Sequence, residues 1–167
     1  MSKSNLTSLV LFFTVLFSGF YAGIGFLGAM GGNHAIKLMS SSTFAEYWQH
    51  IDHYMGARMP VFGPLLLGTQ LASIILLIKE YRTPSFWLML TAFFILIVDV
   101  VFTTSVNLPL NKLIQSWDLN SLPDNVENVR WQVAKAFDIR GIFMMSSFLM
   151  VLVSVWLRKT YVQPFKQ

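Results

Sequence analysis

Four stretches without charge dominate this chain, at about residues 5–32, 60–78, 85–107 and 141–157, and Asp99 alone interrupts any of them. About 20 apolar residues suffice to cross the hydrocarbon core of a bilayer. In lipid a backbone must satisfy its own polar groups, so a spanning segment is a helix or a strand of a closed barrel. These runs are too long for tilted barrel strands and lack strict alternation. The expectation is an all-α, integral membrane four-helix bundle, a single four-span domain over 1–167. The first run has a weak basic start at Lys3, but it is about twice the length of a secretory apolar core. It is therefore expected to remain as a span. Charged residues make up 12% of the chain, where a soluble domain carries about 25%, so an ordinary water-soluble enzyme is excluded. The absence of cysteine excludes disulfides, thiolate metal sites and cysteine nucleophiles.

The placement of charge predicts an orientation. Lys3, Lys79, Arg82, Arg158, Lys159 and Lys166 share one side with a single acid, Glu80. The two long loops on the other side balance Lys37, Arg58, Lys112, Arg130, Lys135 and Arg140 against six acids. Both termini are expected in the cytoplasm and the long loops on the outer side. The short segment 79–84 makes a tight turn between the second and third spans. In the first long loop, Thr43 and Glu46 have capping-box spacing, so residues from about Phe44 to Arg58 are read as an amphipathic outer helix running into the second span. Val126 to Phe137 reads as a helix leading into the fourth. No basic face supports nucleic-acid binding; the expected partner is the lipid bilayer.

Asp99 is the informative residue. An ionisable group inside a span costs several kcal/mol unless paired or wetted, which makes it a functional candidate by default. Asp99, Thr103 and Asn107 recur at i, i+4, i+8, forming a polar stripe about 12 Å long at 1.5 Å per residue. The alternative is a carboxyl that locks helix packing. In the run Asn107-Leu108-Pro109-Leu110-Asn111, Pro109 interrupts the backbone ladder, giving either a kink or a capped helix end. Arg58 and Arg140 stand at the mouths of the second and fourth spans. Each either reaches inward or snorkels to headgroups. His50 and His53 share a helix face, but a metal site needs a third ligand, which His34 or Asp99 would have to supply. A di-metal carboxylate pattern is missing. Glycines crowd the first span, at Gly19, Gly23, Gly25, Gly28, Gly31 and Gly32. They suit close helix packing or the smooth wall of a cleft. Trp48 and Trp131 are candidates to line an aromatic pocket. Phosphate-cradling loops, Gly-x-Ser-x-Gly elbows and His-Glu-x-x-His motifs do not occur.

Several pieces together resemble the anthrone-oxygenase-like family of four-span membrane proteins. They are Gly56-Ala57-Arg58-Met59-Pro60, Val106-Asn107-Leu108-Pro109-Leu110-Asn111, Trp117, Arg130-Trp131 and Arg140. The likeness covers nearly the whole chain, and it carries over Arg58, Pro109, Asn111, Trp131 and Arg140. One departure is Phe137, where family members often have a histidine three residues before the fourth-span arginine. Some relatives oxidise anthrones to anthraquinones with molecular oxygen and no dedicated cofactor. Such chemistry needs a base and a water-poor pocket. The resemblance therefore implies Asp99 as a desolvated base, with Arg58 or Arg140 holding the resulting phenolate. Asn107, Asn111, Trp131, Thr103 and His53 would line the site for a small, flat, hydrophobic phenol or quinol. The competing reading is a non-enzymatic membrane subunit that binds lipid or a protein partner.

Overall fold

Each of the four apolar runs forms a helix long and apolar enough to cross a membrane. The computed structural model describes residues 3–162. Lys166, counted above on the cytoplasmic side, lies outside the described residues, as does the side chain of Lys3. The elements are α1 (Lys3–Leu27), a π turn (Gly28–Gly32), α2 (Asn33–Leu38), α3 (Ser41–Leu77), a 3-10 turn (Ile78–Glu80) and α4 (Pro84–Phe102). A second π turn (Thr103–Asn107), α5 (Leu108–Gln115) and α6 (Val126–Val162) follow. The protein is an all-α integral membrane protein with no strand among the described residues.

The helices overrun the apolar stretches that announce them. The first is followed, across a kink at Gly31 in its π turn, by α2. The outer helix of the first loop and the second span are one 37-residue element, α3, which carries Pro60 and Pro64 inside it. Its cap is Ser40, whose hydroxyl accepts the Thr43 N–H at 3.3 Å. This corrects the cap expected at Thr43: Ser40 has the extended backbone a cap needs, whereas Thr43 is already inside the helix. α6 likewise runs unbroken for 37 residues from the third loop to the C-terminal side.

Around the bundle, α1 packs on α3 and α6, and α4 packs on the same two. Two ends can be distinguished. The turn end carries the start of α1, the end of α6 and the 79–84 turn, where Thr83 caps α4 and Arg158 pairs with Glu80 at 3.0 Å. There Leu11, Ile74, Leu77, Phe86, Met89 and Val151 form a dry core. At mid-height a smaller cluster joins Tyr21, Leu66, Leu96 and Met144. The loop end is closed by a cap of Ile36, Phe44, Trp48, Ile114, Trp117 and Val133, from α2, α3, α5, the loop after it and α6. Arg130 fastens that cap by donating to the Met39 carbonyl. Asn33 and Lys37 tie α2 to Asp138 of α6 at 2.7 and 3.0 Å.

Candidate functional site

At mid-bundle α1 and α6 touch backbone to backbone. A methyl group on Gly25 would lie 2.9 Å from the Gly141 Cα, so no side chain fits there. Small residues permit this approach in lipid. It also brings Tyr21, one turn before Gly25, against Arg140, the neighbour of Gly141. Across from them α4 presents Asp99, which is fully buried. The three side chains close a ring. Arg140 donates from Nε to Asp99 Oδ1 at 3.0 Å and from Nη2 to the Tyr21 hydroxyl at 2.8 Å. Tyr21 in turn donates to Asp99 Oδ2. A charge at this depth is tolerable only when paired and hydrogen-bonded, and here both carboxylate oxygens are engaged. Of the two outcomes left open for Arg140, it takes the inward one and pairs with Asp99.

Above this ring lies a cavity of about 390 Å³, within the usual range for small-molecule sites. Tyr21 and Arg140 form part of its wall, while Asp99 stands behind them. Most of the lining is apolar, from Ile24, Met55, Met59, Phe62, Leu96 and Met144 among others. Both π turns contribute. Gly28 and Gly32 line it from the first, and Thr103, Thr104 and Asn107 from the second. Each turn has a local cause. At the first, Gly31 adopts φ 128°, open to glycine and rarely to other residues, and Asn33 bonds back five residues to Gly28. At the second, Pro109 has no N–H to offer the preceding turn, and Leu108 bonds back five residues to Thr103. Such widened turns recur at functional sites.

Trp48 and Phe137 meet edge to face at 5.2 Å over the cavity's loop end. Trp48 Nε1 donates to Asn111 Oδ1 at 3.0 Å, and Asn111 donates to Asp52, which also accepts from Gln115. Phe137, at the position where relatives often carry histidine, also lies 5.2 Å beneath the Arg140 guanidinium.

The structure brings Asp99, Arg140, Thr103, Asn107 and Asn111 to this one place and leaves three candidates outside it. Arg58 is exposed, bonds to the Tyr54 carbonyl at 2.8 Å and stacks on the Tyr54 ring. Met55, Gly56 and Met59 line the cavity from α3, and Arg58 does not. His53 is exposed beside Tyr54. Trp131 is 51% exposed under Lys37, because α6 buries Val129, Arg130, Val133 and Ala134 at that height. No group of three His, Asp or Glu residues close enough to hold a metal occurs among the described residues. Tyr21 was not foreseen as a site residue. Its signal was a tyrosine one turn before a glycine on a membrane span, since a buried tyrosine hydroxyl usually finds a partner.

A family model described as anthrone oxygenase matches residues 52–150. No curated protein and no solved structure matches the chain. The matched segment holds Asp99, Thr103, Asn107, Asn111 and Arg140, while Tyr21 precedes it. With more than half of its length matched, this four-span membrane protein belongs to the anthrone oxygenase family.

Proposed function

We propose that the cavity is the active site of a cofactor-independent oxygenase for a flat, hydrophobic phenol or quinol drawn from the bilayer, with the long loops on the outer side. The observation that carries this reading is the Asp99–Arg140–Tyr21 ring set into the wall of an otherwise apolar chamber. Arg140 has Nε and Nη2 committed, and its remaining nitrogen is the donor left for a ligand oxyanion. A guanidinium in a water-poor site stabilises such an anion far better than in water. Asp99 receives the substrate proton through Tyr21: the phenol oxygen accepts it while its own proton moves to Oδ2. For an anthrone-type substrate, the resulting electron-rich carbanion then reacts with dioxygen. Overall one ring CH₂ and one O₂ become one ring C=O and one water, so the oxidant is oxygen itself. Proton transfer through a positioned side chain contributes typically about 10²–10⁴-fold.

The test is oxygen consumption by the purified protein in lipid nanodiscs with an anthrone or a quinol. The reading expects turnover in the wild type and a loss of about 10²-fold or more in Tyr21→Phe, which keeps the ring packing but removes the relay. An equal rate in that variant overturns the relay. No turnover over the uncatalysed rate, together with ligand binding, favours the second reading, a non-enzymatic membrane subunit that holds a lipid or partner. That reading draws on the pairing of Asp99 with Arg140, which commits the Asp99 carboxylate behind the wall.

A further inference from the structure

The seam between the antiparallel helices α3 and α4 changes character along its length. Near the 79–84 turn, Ile74 and Leu77 of α3 share a dry core with Phe86 and Met89 of α4. Further along, Leu66 and Leu67 pack in one cluster with Leu96. At the loop end Asn111 donates to Asp52 and clasps the seam shut. Between these fastenings α3 carries Gly56 and Gly63, and both line the chamber. A methyl group on either would meet nothing within 4 Å. Glycines at helix contacts behave otherwise: at Gly19 and Gly25 a methyl group would touch α6 at 3.3 and 2.9 Å. Glycine weakens a helix interior, and no close approach accounts for these two. With Asp52 level with Asn111, antiparallel register sets Gly56 about level with Asn107 and Gly63 with Val100, since both helices rise about 1.5 Å per residue. Val100, Thr104 and Leu108 are exposed and yet line the chamber, as Gly56 does. Residues that do both stand on the rim of an opening. Leu27 and Tyr47 also do both, on the α1 flank of α3. There, however, Phe62 meets the rings of Phe17 and Tyr21 at 6.1 and 6.4 Å and fills the space between the helices.

We propose that the chamber opens sideways through this seam and admits the acyl chain of a bilayer phospholipid, with Gly56 and Gly63 as the residues that leave the gap. Both helices are long and apolar enough to cross a membrane. The rim runs without a break into their exposed apolar faces, at Val61 and Leu65 on α3 and Val98 and Val101 on α4. No rim residue is charged. The one charge at the loop end of the seam, Asp52, is taken up by Asn111 and Gln115. Apolar walls without partner atoms forfeit dispersion contacts. An acyl chain supplies them and brings no polar group to desolvate. A membrane-dissolved ligand of the chamber takes the same route. The proposal holds with or without oxygen chemistry in the chamber, so the two readings fail separately.

The experiment places the full chain in phosphatidylcholine nanodiscs doped with a phosphatidylcholine that carries a diazirine on its acyl chain. After irradiation, mass spectrometry locates the labelled residues. In the wild type, label is expected on Ile24 and Phe137, which line the chamber from α1 and α6 across from the seam. Label is also expected on the exposed exterior residues Leu71 and Ile75. Gly56→Leu combined with Gly63→Leu fills the gap and should abolish the chamber label while the exterior label stays. The open space at both positions favours folding of this variant, and thermal unfolding verifies it; if the pair does not fold, Gly63→Leu alone decides. Gly68→Leu is the control, because Gly68 has the same open surroundings but does not line the chamber. It should leave both labels unchanged. A wild type labelled only on the exterior overturns the proposal. So does a chamber label that survives in the folded plugged variant, which would put the entry on the α1 flank, or one that Gly68→Leu also removes. Chamber label in a protein that consumes no oxygen keeps the opening and removes the oxygenase.

Discussion

The two halves of the bundle use the same residue types to opposite ends. Toward the turn end, serines and threonines pair across helices. Ser85 donates to the Ser154 carbonyl at 2.9 Å and Ser154 returns a bond to the Ser85 carbonyl at 2.7 Å. Ser147 donates to the Ala92 carbonyl at 2.9 Å, and Thr14 shares a 2.8 Å contact with Ser73. Gln70, which donates to Ser18 but leaves its Oε1 unpaired, is the exception. Toward the loop end, Thr103 and Asn107 stand beside the cavity, and their Oγ1 and Oδ1 are buried with no partner among the described residues. The difference is distance between helices. Small side chains let α1 close on α3 and α4 on α6, so each hydroxyl finds a neighbouring backbone. In the loop half, residues of the two π turns and the Trp48–Phe137 pair border a cavity instead.

Breaking the ring between the halves should have the largest effect. Arg140→Met leaves Asp99 buried and unpaired, and a loss of about 3–5 kcal/mol in stability is expected, read by thermal unfolding in detergent. Adding Asp99→Asn should restore part of it, since an amide is cheaper to bury than an unpaired charge. A double variant as unstable as the single would show that the ion pair is not what the site pays for. Gly25→Ala comes next. Its methyl meets Gly141 backbone at 2.9 Å, so overpacking of about 1–3 kcal/mol is expected, with weakened ligand binding because Arg140 moves. The smallest effect belongs to the turn half. Ser154→Ala removes its bond to the Ser85 carbonyl and should cost about 1 kcal/mol or less, leaving ligand affinity unchanged. A change in affinity there would show that the halves are not independent.

The parts legible in sequence were those set by single residues against a uniform background. Four uncharged runs gave four membrane helices, and one acid inside a span gave Asp99. Arg140 and Arg58 looked equivalent, both basic at the mouth of a span, yet one pairs with Asp99 and the other lies on the exterior. The deciding fact for Arg140 is Gly141 next to it, which lets α1 come close, and that needs its partner Gly25 from 116 positions earlier. Trp131 and His53 also matched expected residue types, but their helices turn those positions outward.

By itself, then, the sequence determined the membrane-spanning character, the helices and the cost of Asp99, because hydrophobic transfer and charge burial depend on local composition. Only the tertiary structure decided which groups met that cost and where a chamber stayed open. Tyr21, Asp99 and Arg140 come from three helices. Their convergence depends on interhelical approach and on two interrupted hydrogen-bond ladders, and neither is written in the periodicity of any one segment.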